Sequence, residues 1–322
     1  MPIYKNSSFN PPFYIRNNHF QTIFPALLRK VNGVQYERER LELEDGDFLD
    51  LDWSRVNSDK LLIALHGLEG SAHRPYIKAP IRLFNSQGWD GMGINFRGCS
   101  GVPNRKLHAY HSGETNGLRY VLKTVLSRGI YKEIALIGFS LGGNVILKYL
   151  GEEGEFISEE IRNAVTFSVP CDLASASIEL AKWKNAVYMN RFMDSLKTKV
   201  KDKEHLVTDN LNLKRIYRSK TFRDFDDAFT APVFGFRDAQ DYWRQSSSKP
   251  YLKNIKVPSL IINAIDDSFL SKECYPYEEA ERNPFCHLEV PNRGGHVGFV
   301  SPDQNGFYWS EKRAMNFILN GE

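Results

Sequence analysis

The stretch EIALIGFSLGGNVILKYL, from Glu133 to Leu150, restricts the possible folds more than any other part of this sequence. Its first half is a short apolar run typical of a buried strand, and an apolar run with helical spacing follows. Between them lies GFSLG, in which Ser140 has a glycine two positions away on each side. A tight strand-to-helix turn forces unusual backbone angles and leaves little room for neighbouring side chains, which favours glycine. The stretch therefore predicts a strand, a sharp turn carrying the serine, and a helix.

Short apolar strands alternate with helices through most of the chain. The apolar patterns predict strands at 60–67, 90–96, 132–140, 162–169, 258–264 and 286–292, and helices at 75–88, 113–129, 142–154 and 310–320. Residues 36–53 alternate around an Asp-Gly pair, which is a hairpin signal. Strands joined by helices form parallel sheets that are covered on both faces. We therefore predict an α/β fold with a mostly parallel central sheet and helices on both faces.

Two segments interrupt this alternation. Residues 1–35 are rich in aromatic residues and proline, and we expect an arm that packs on the domain, because large apolar residues are too frequent for a disordered tail. Residues 172–256 are helical, polar and aromatic in pattern, which predicts a helical cap insertion above the strand ends, where α/β sheets bind ligands. We expect residues 1–322 to form a single domain with this arm and, at about 172–256, this cap.

Composition argues against several classes of protein. The formal net charge of +3 is scattered along the chain and gives no reason to expect nucleic-acid binding. The first residues lack the apolar core of a signal peptide, and no apolar run approaches the roughly 20 residues of a membrane helix. The four cysteines lack zinc-type spacing. We expect a cytoplasmic protein with reduced thiols and no integral membrane segment. Peripheral membrane contact stays open because 13% of residues are aromatic.

The GFSLG turn has two interpretations. A serine raised above a sheet on such a turn, beside the free N–H groups at the start of a helix, is typical of a catalytic nucleophile. The alternative is a structural turn with a surface serine. The pentapeptide alone is a moderate signal, and the strand before it and the helix after it strengthen that signal. We therefore favour Ser140 as a nucleophile.

A serine nucleophile needs a base, and the base needs an acidic partner that orients it. Where the serine lies on this type of turn, the chain order is serine, acid, histidine. Among the eight histidines, His296 follows two glycines just past a predicted strand, and we assign it as the base. Asp266 and Asp267 follow another predicted strand. We prefer Asp267 because it lies one residue further from that strand and an apolar pair beyond it could anchor the loop.

An oxyanion needs two backbone N–H donors. One is predicted at Leu141, directly after the serine, and the other at Leu68, in the loop HGLEGSAH that follows the first parallel strand. His66 begins this loop, and we expect it to hydrogen-bond within the loop rather than to act as a base.

The motifs RGCSG and YHSGE follow the second parallel strand and carry further polar residues. Cys99 and Ser100 lack a base and an acid in register, so we do not expect them to be nucleophiles. Arg97, His111 and Glu114 are candidates for a polar network under the site. A structural lock of the loop is at least as good an explanation.

Together these motifs resemble those of the YheT-like α/β-hydrolases, bacterial proteins related to the mammalian ABHD esterases and phospholipases. The likeness covers about 12–300. The segments that carry it are NNHFQTIFPALLR (17–29), HGLEGS (66–71), NFRGCSGVPN (95–104), YHSGET (110–115), FDDAFTAPVFGF (225–236), AIDDSF (264–269) and GGHVGF (294–299). Two positions depart from the family pattern: Asn116-Gly117 replaces a frequent acidic pair, and Ser268 replaces a frequent proline. Neither touches the expected triad, and both bear on loop stiffness and substrate fit.

The resemblance implies an α/β-hydrolase fold and a serine hydrolase that cleaves carboxylic esters through an acyl-enzyme. Ser140 would attack the acyl carbon, His296 would carry the proton, and Asp267 would orient His296. The N–H groups of Leu68 and Leu141 would hold the oxyanion. No metal or organic cofactor is implied. The expected substrate is a small-molecule ester or lipid-like ester, while the acyl chain and the oligomeric state are not indicated.

Two other functions remain open. An acyltransferase would use the same triad with an alcohol or a thiol in place of water, and the sequence does not separate it from a hydrolase. A non-catalytic ligand-binding protein is disfavoured, because such proteins usually lose a member of the triad. The cap aromatics suggest an acyl pocket or, equally, the cap's own core; they are Trp183, Tyr188, Phe192, Tyr242 and Trp243.

Overall fold

A computed structural model describes residues 3–208 and 211–321. Nine strands in these ranges form one sheet in the order β1-β9-β8-β7-β6-β4-β5-β3-β2. The strands are β1 (Ile3–Tyr4), β2 (Glu37–Glu42), β3 (Phe48–Ser54), β4 (Lys60–Leu65), β5 (Asp90–Asn95), β6 (Glu133–Phe139), β7 (Ile161–Phe167), β8 (Ser259–Ile262) and β9 (Cys286–Glu289). Strand β3 pairs antiparallel with β2 and β5, and the other pairs are parallel. The predicted mostly parallel α/β sheet is confirmed.

Helices cover both faces of the sheet. Around the strands lie α1 (Asn18–Leu28), α2 (Pro75–Asn85), α3 (Asn116–Ser127), α4 (Leu141–Glu153), α11 (Tyr277–Arg282) and α12 (Trp309–Asn320). The apolar side chains of α3 and α4 pack in one core and those of α2 and α12 in a second core. Along β4, Leu61 and Ile63 belong to the first core and Leu62 to the second. This alternation follows from the two-residue period of a strand, and it confirms a sheet buried on both faces.

The hairpin predicted at the Asp-Gly pair forms between β2 and β3. Glu42 lies opposite Phe48, and the N–H of Leu43 donates to the carbonyl of Asp47 across the turn. Gly46 has a φ of +80°, a left-handed conformation that glycine adopts without the penalty of a side chain.

In the described residues, six α-helices lie between β7 and β8, and we call this part of the chain the insertion. They are α5 (Leu173–Leu180), α6 (Ala186–Asp202), α7 (Leu213–Arg218), α8 (Phe222–Phe225), α9 (Ala231–Phe234) and α10 (Ala239–Ser246). The insertion has its own apolar clusters, one around Met189, Met193 and Phe225 and another around Tyr242 and Trp243.

The N-terminal arm contributes two elements that the sequence did not predict. β1 adds an edge strand next to β9. α1 contains Pro25, which obscures a helical pattern. Arg29, just after α1, forms a buried ion pair with Glu311 of α12 at 2.8 Å, so the end of α1 is held against the domain. Among the described residues, no helix is long and apolar enough to cross a membrane.

Candidate active site

Ser140 lies between the end of β6 and the start of α4, on the predicted turn. Its backbone has φ 52° and ψ −119°, a conformation that L-residues rarely adopt. A Cβ at Gly138 would lie 2.7 Å from the carbonyl oxygen of Gly142, and one at Gly142 would lie 2.5 Å from that of Leu65. Both positions must be glycine for the strand, the turn and the helix to approach this closely.

The structure brings Ser140, His296 and Asp267 together in one line of hydrogen bonds. The Nε2 atom of His296 lies 3.0 Å from Oγ of Ser140. The Nδ1 atom of His296 lies 2.9 Å from Oδ2 of Asp267. Because a carboxylate can only accept, the Nδ1 atom carries the ring proton, and Nε2 is left to accept the serine hydroxyl proton. Asp267 is fully buried, and its other oxygen accepts the N–H of Phe269 at 2.9 Å.

Asp266 has a different set of contacts from its neighbour. Its Oδ1 atom accepts the N–H of Gly295 at 2.9 Å, next to His296. Burial raises the pKa of the Asp266 carboxyl above its usual range. The structure thus places Asp267 against the histidine ring and Asp266 against the backbone of the histidine loop.

Helix α1 supports this loop from the outside, which the sequence did not indicate. The hydroxyl of Thr22 accepts the N–H of His296 at 2.9 Å. Gln21 is fully buried and accepts the N–H of Val300 at 2.6 Å. The side-chain amide of Asn18 donates to the carbonyl of Asp266 at 2.9 Å. The segment NNHFQTIFPALLR carried the family resemblance, and these contacts explain what its polar residues hold.

The loop after β4 lies directly beside the serine. A Cβ at Gly67 would lie 3.2 Å from Cβ of Ser140, and the N–H of Gly70 donates to the carbonyl of Gly67. Within the described part of the chain, the N–H groups of Leu68 and Leu141 donate no hydrogen bond. Two free donors therefore belong to segments that adjoin the serine, as an oxyanion site requires.

His66 has the role within the loop that the sequence predicts. Its Nδ1 atom lies 2.7 Å from the carbonyl oxygen of Gly67, and its Nε2 atom accepts the N–H of Phe96 at 3.2 Å. Burial lowers the pKa of His66 to about 4, so the ring is neutral near neutral pH. Both ring nitrogens are occupied, so His66 is not a free base.

In the described residues, no hydrogen bond joins the side chains of the three candidates for a polar network under the site. Arg97 pairs with Asp45 at 2.6 Å and Asp47 at 3.3 Å. Glu114 accepts a backbone N–H in the first turn of α3. His111 faces a cavity among aromatic rings. The loop-lock explanation fits Arg97 and Glu114, and the network under the site stays a prediction.

A second cluster near the site was missed by the sequence analysis. Lys199 of α6 forms an ion pair with Glu69 at 2.8 Å, and its Nζ atom lies 3.1 Å from Sγ of Cys99. Glu69 also accepts the hydroxyl of Tyr110 at 2.8 Å. Burial raises the pKa of the Cys99 thiol, so this cysteine is not activated as a nucleophile, as the sequence analysis expected. The cluster ties the insertion to the loop after β4, and no sequence motif indicated that pairing.

Two cavities meet at Ser140. The inner cavity, of about 150 Å³, lies between the sheet and the insertion and is mostly apolar. The outer cleft, of about 370 Å³, lies between α1, α6 and the loop after β4, and it also contains His296. Leu68 and Phe269 line both spaces. A substrate bound at the serine can therefore extend in two directions.

Two titratable groups of the inner cavity are shifted toward their neutral forms. Burial raises the pKa of Asp226 to about 7, although Thr230 and the indole N–H of Trp243 donate to it at 2.6 and 2.8 Å. Burial lowers the pKa of His111 to about 3. His111 is therefore neutral near neutral pH, whereas Asp226 changes from its neutral to its charged form as the pH passes through about 7.

The cap aromatics serve as both lining and core. Tyr242 and Trp243 are buried in a cluster of the insertion and also line the inner cavity. Tyr188 and Phe192 line the outer cleft. Trp183 lines neither space and is 90% exposed. In the described part of the chain, no group of three or more metal-binding side chains is placed to hold an ion.

A comparison with protein families matches residues 60–303 to the α/β hydrolase fold. The chain belongs to this family. The match includes the serine turn, the acid loop and the histidine loop, and the nine-stranded sheet agrees with it.

Proteins of similar sequence align with nearly the whole chain. The protein named "Putative esterase YheT" of Escherichia coli K12 is 36% identical over 301 residues, which is 92% of this chain and 88% of the relative. The mouse protein named "Phospholipase ABHD3" is 29% identical over 91% of this chain and 73% of its own. The resemblance to the YheT-like proteins is therefore confirmed. The relatives include one protein named as an esterase and one named as a phospholipase.

Solved structures support the same fold. The Pyrococcus furiosus esterase Pf2001 superimposes with a TM-score of 0.58 at 20% identity, over 88% of this chain and 90% of the other. At this identity the similarity concerns the fold alone.

Proposed function

We propose that this protein is a serine hydrolase that cleaves carboxylic esters. The observation that carries the proposal is the continuous contact from Ser140 through His296 to Asp267, with distances of 3.0 and 2.9 Å. A serine hydroxyl becomes a useful nucleophile only when a base can remove its proton and an acid orients that base. The names of the relatives, esterase and phospholipase, agree with this chemistry.

The mechanism follows from the atoms at the serine. Oγ of Ser140 attacks the acyl carbon while Nε2 of His296 takes the hydroxyl proton. Asp267 stabilises the imidazolium that results. His296 then gives the proton to the leaving alcohol, and an acyl-enzyme remains. Water, activated by the same histidine, attacks this ester and frees the acid and the serine.

The developing negative charge needs donors that are in place beforehand. We assign this role to the N–H groups of Leu68 and Leu141, which donate no other hydrogen bond in the described residues. Preorganised donors of this kind lower the barrier by about 3 kcal/mol each in serine hydrolases.

We assign the insertion, about 172–256, the role of a cap that selects the acyl group. Its side chains line most of the inner cavity, which is apolar and ends at the serine. The acyl chain would occupy the inner cavity, and the alcohol would leave through the outer cleft. The substrate class is then a small-molecule or lipid-like ester with an apolar acyl chain.

The decisive experiment is labelling of the purified protein with a fluorophosphonate probe, which reacts only with an activated serine. We expect labelling of the wild type and none of Ser140→Ala or His296→Ala. Hydrolysis of p-nitrophenyl esters should follow the same pattern. A folded wild type that takes no label and cleaves no ester would refute the proposal.

The two neighbouring aspartates supply a matched pair of variants. Asp267→Asn should lower kcat by about 10³-fold or more, because the imidazole loses the acceptor that fixes its tautomer. Asp266→Asn removes the same charge one residue away and should cost less than about tenfold. The reverse ranking of the two variants would assign the acid to Asp266.

A further inference from the structure

Exposed apolar side chains surround the mouth of the outer cleft. From α1, Ile23 and Leu27 line the cleft and are 39% and 66% exposed. From α6, Val187 lines the opposite wall and is 76% exposed. These side chains border the path to Ser140 and also leave their apolar surface in water. Contiguous apolar surface of this kind marks a place where a partner binds.

Each helix extends this edge along one face. On α1, Phe20, Ile23 and Leu27 are three and four residues apart and therefore lie side by side. Trp183 lies in the short 3-10 turn just before α6, four residues ahead of Val187, and is 90% exposed. We call the following side chains the rim surface: Phe20, Ile23, Leu27, Leu28, Trp183 and Val187.

The rim surface is not needed to hold α1 on the domain. Gln21 of α1 is fully buried, and Phe24, which stacks on Phe20, packs on the cluster of Ile15, Val300 and Tyr308. The domain thus covers α1 on the side of Gln21 and Phe24, and a second apolar face, with Ile23 and Leu27, is directed to solvent. The second face is available for a partner outside the chain.

Positive charge accompanies the rim surface. The first 36 residues contain Lys5, Arg16, Arg29 and Lys30 and neither aspartate nor glutamate. Arg29 is neutralised by Glu311, while Arg16 and Lys30 are exposed at the two ends of α1. On the other wall of the cleft, Arg191 is exposed to solvent. An anionic partner suits this combination of cations and exposed apolar side chains.

We propose that the rim surface docks on a bilayer that contains anionic phospholipid. Tryptophan and leucine side chains at this edge enter the boundary between headgroups and acyl chains, and the arginine and lysine side chains contact the anionic headgroups. The outer cleft lies between the two apolar edges, so docking turns the entrance of the site toward the lipid. A second copy of the chain seated on the same surface would instead close the cleft over the serine.

The test is cosedimentation of the purified full-length protein with vesicles of neutral phosphatidylcholine, and with vesicles in which about 30% of the lipid is phosphatidylglycerol. We expect binding to the anionic vesicles at least about tenfold stronger than to the neutral ones, and weaker binding in high salt. Ser140→Ala should bind as the wild type does. Vesicle binding of this inactive variant measures docking without catalysis. A protein that does not dock is thus distinguished from a protein that lacks the proposed hydrolase activity.

Variants locate the contact. The double variant Leu27→Ser/Trp183→Ser should lower binding to anionic vesicles by about tenfold or more, because two apolar anchors are lost. Arg16→Gln/Lys30→Gln should weaken binding and reduce its salt dependence. The control is Phe156→Ser. Phe156 is 91% exposed but lies between α4 and the start of β7, at the opposite end of the strands from Ser140, so its loss should leave binding unchanged.

Three results would overturn the proposal. The first is no binding of folded wild type to anionic vesicles. The second is an equal loss of binding in Phe156→Ser and in the rim double variant. The third is a dimer in sedimentation velocity that becomes a monomer in the rim double variant, which would assign the surface to a second copy of the chain.

Discussion

Asp226 is an acidic side chain enclosed among apolar neighbours of the inner cavity. Its pKa is raised from 3.8 to about 7 because burial penalises the carboxylate, and two donated hydrogen bonds offset only part of that penalty. Between these two values the folded protein holds a proton that the unfolded chain has released. The free energy of unfolding therefore falls as pH rises from about 4 to about 7, and this contribution is constant above that range.

Asp226→Asn removes this pH dependence. Relative to wild type, the unfolding free energy of the variant should increase by about 1 kcal/mol or more between pH values of about 5 and about 8. Urea denaturation at both pH values measures the change. Asp194→Asn, which removes an exposed carboxylate of α6, is the control and should run parallel to wild type. Parallel curves for Asp226→Asn as well would show that the Asp226 carboxyl is ionised throughout.

Asp266 and Asp267 show how far adjacent residues can differ. One accepts a backbone N–H of the histidine loop, and the other accepts the histidine ring. The sequence supported Asp267 only through its position in the loop. Which carboxylate faces His296 depends on the backbone torsions of that loop and on the place of the histidine loop beside it, and both are tertiary properties.

Among the secondary-structure elements, α1 has the largest effect on the site relative to its signal in the sequence. It lies far from the triad along the chain, yet Thr22 accepts the N–H of His296, and the carbonyl of Asn18 accepts the hydroxyl of Thr22 at 2.8 Å. Close approach of α1 also requires glycine in the histidine loop, because a Cβ at Gly295 would lie 2.4 Å from the carbonyl oxygen of Asn18. We infer that α1 fixes the histidine loop against the serine turn.

Thr22→Val keeps the shape of this side chain and removes its oxygen. The N–H of His296 then loses its acceptor, and the ring is less firmly aligned with Ser140. We expect kcat for a soluble ester to fall by about tenfold or more, with a smaller change in KM. Thr22→Ser restores the oxygen and should recover most of the activity.

Thermal unfolding of both Thr22 variants serves as the control for a general loss of fold. Thr22 also lines the outer cleft, so a change confined to KM would indicate a substrate contact in place of a positioning role. Equal losses in Thr22→Val and Thr22→Ser would likewise contradict the role of the hydroxyl oxygen.

At the scale of the whole molecule, the inner cavity exists because segments remote in sequence meet above the sheet. Its walls come from the loops after β4 and β5, from the serine turn and from α5, α6, α8, α9 and α10 of the insertion. Ser177 of α5 lines this space and donates its hydroxyl to the carbonyl of Ala174, so it makes no contact that the triad needs. The residue is therefore suited to a test of how the cavity selects the acyl group.

Ser177→Phe should shorten the preferred acyl chain. The added ring occupies part of the inner cavity, so we expect kcat/KM for an eight-carbon p-nitrophenyl ester to fall by about tenfold relative to the two-carbon ester. Thr198→Phe, which adds the same ring at an exposed position of α6, should leave the preference unchanged. An unaltered chain-length profile in Ser177→Phe would contradict the assignment of the inner cavity to the acyl group.

The sequence by itself determined the fold class and the identity of most strands and helices. Strand periodicity separates Leu61 from Leu62 onto opposite faces, and helical periodicity marks α3 and α4, because these patterns are set by local backbone geometry. The requirement for glycine on both sides of Ser140 is also a local property, because the turn cannot form with larger residues. The hairpin between β2 and β3 belongs to the same group.

Only the tertiary structure decided which side chains meet. The sequence offered Asp266 beside Asp267, described residues 1–35 only as an arm, and grouped Arg97 with His111 and Glu114. The structure gave the two aspartates separate partners, placed α1 behind the histidine loop and gave Arg97 and Glu114 different hydrogen-bond partners. Contacts between segments far apart in the chain depend on how the helices pack around the sheet. Patterns within short stretches of sequence do not indicate that packing.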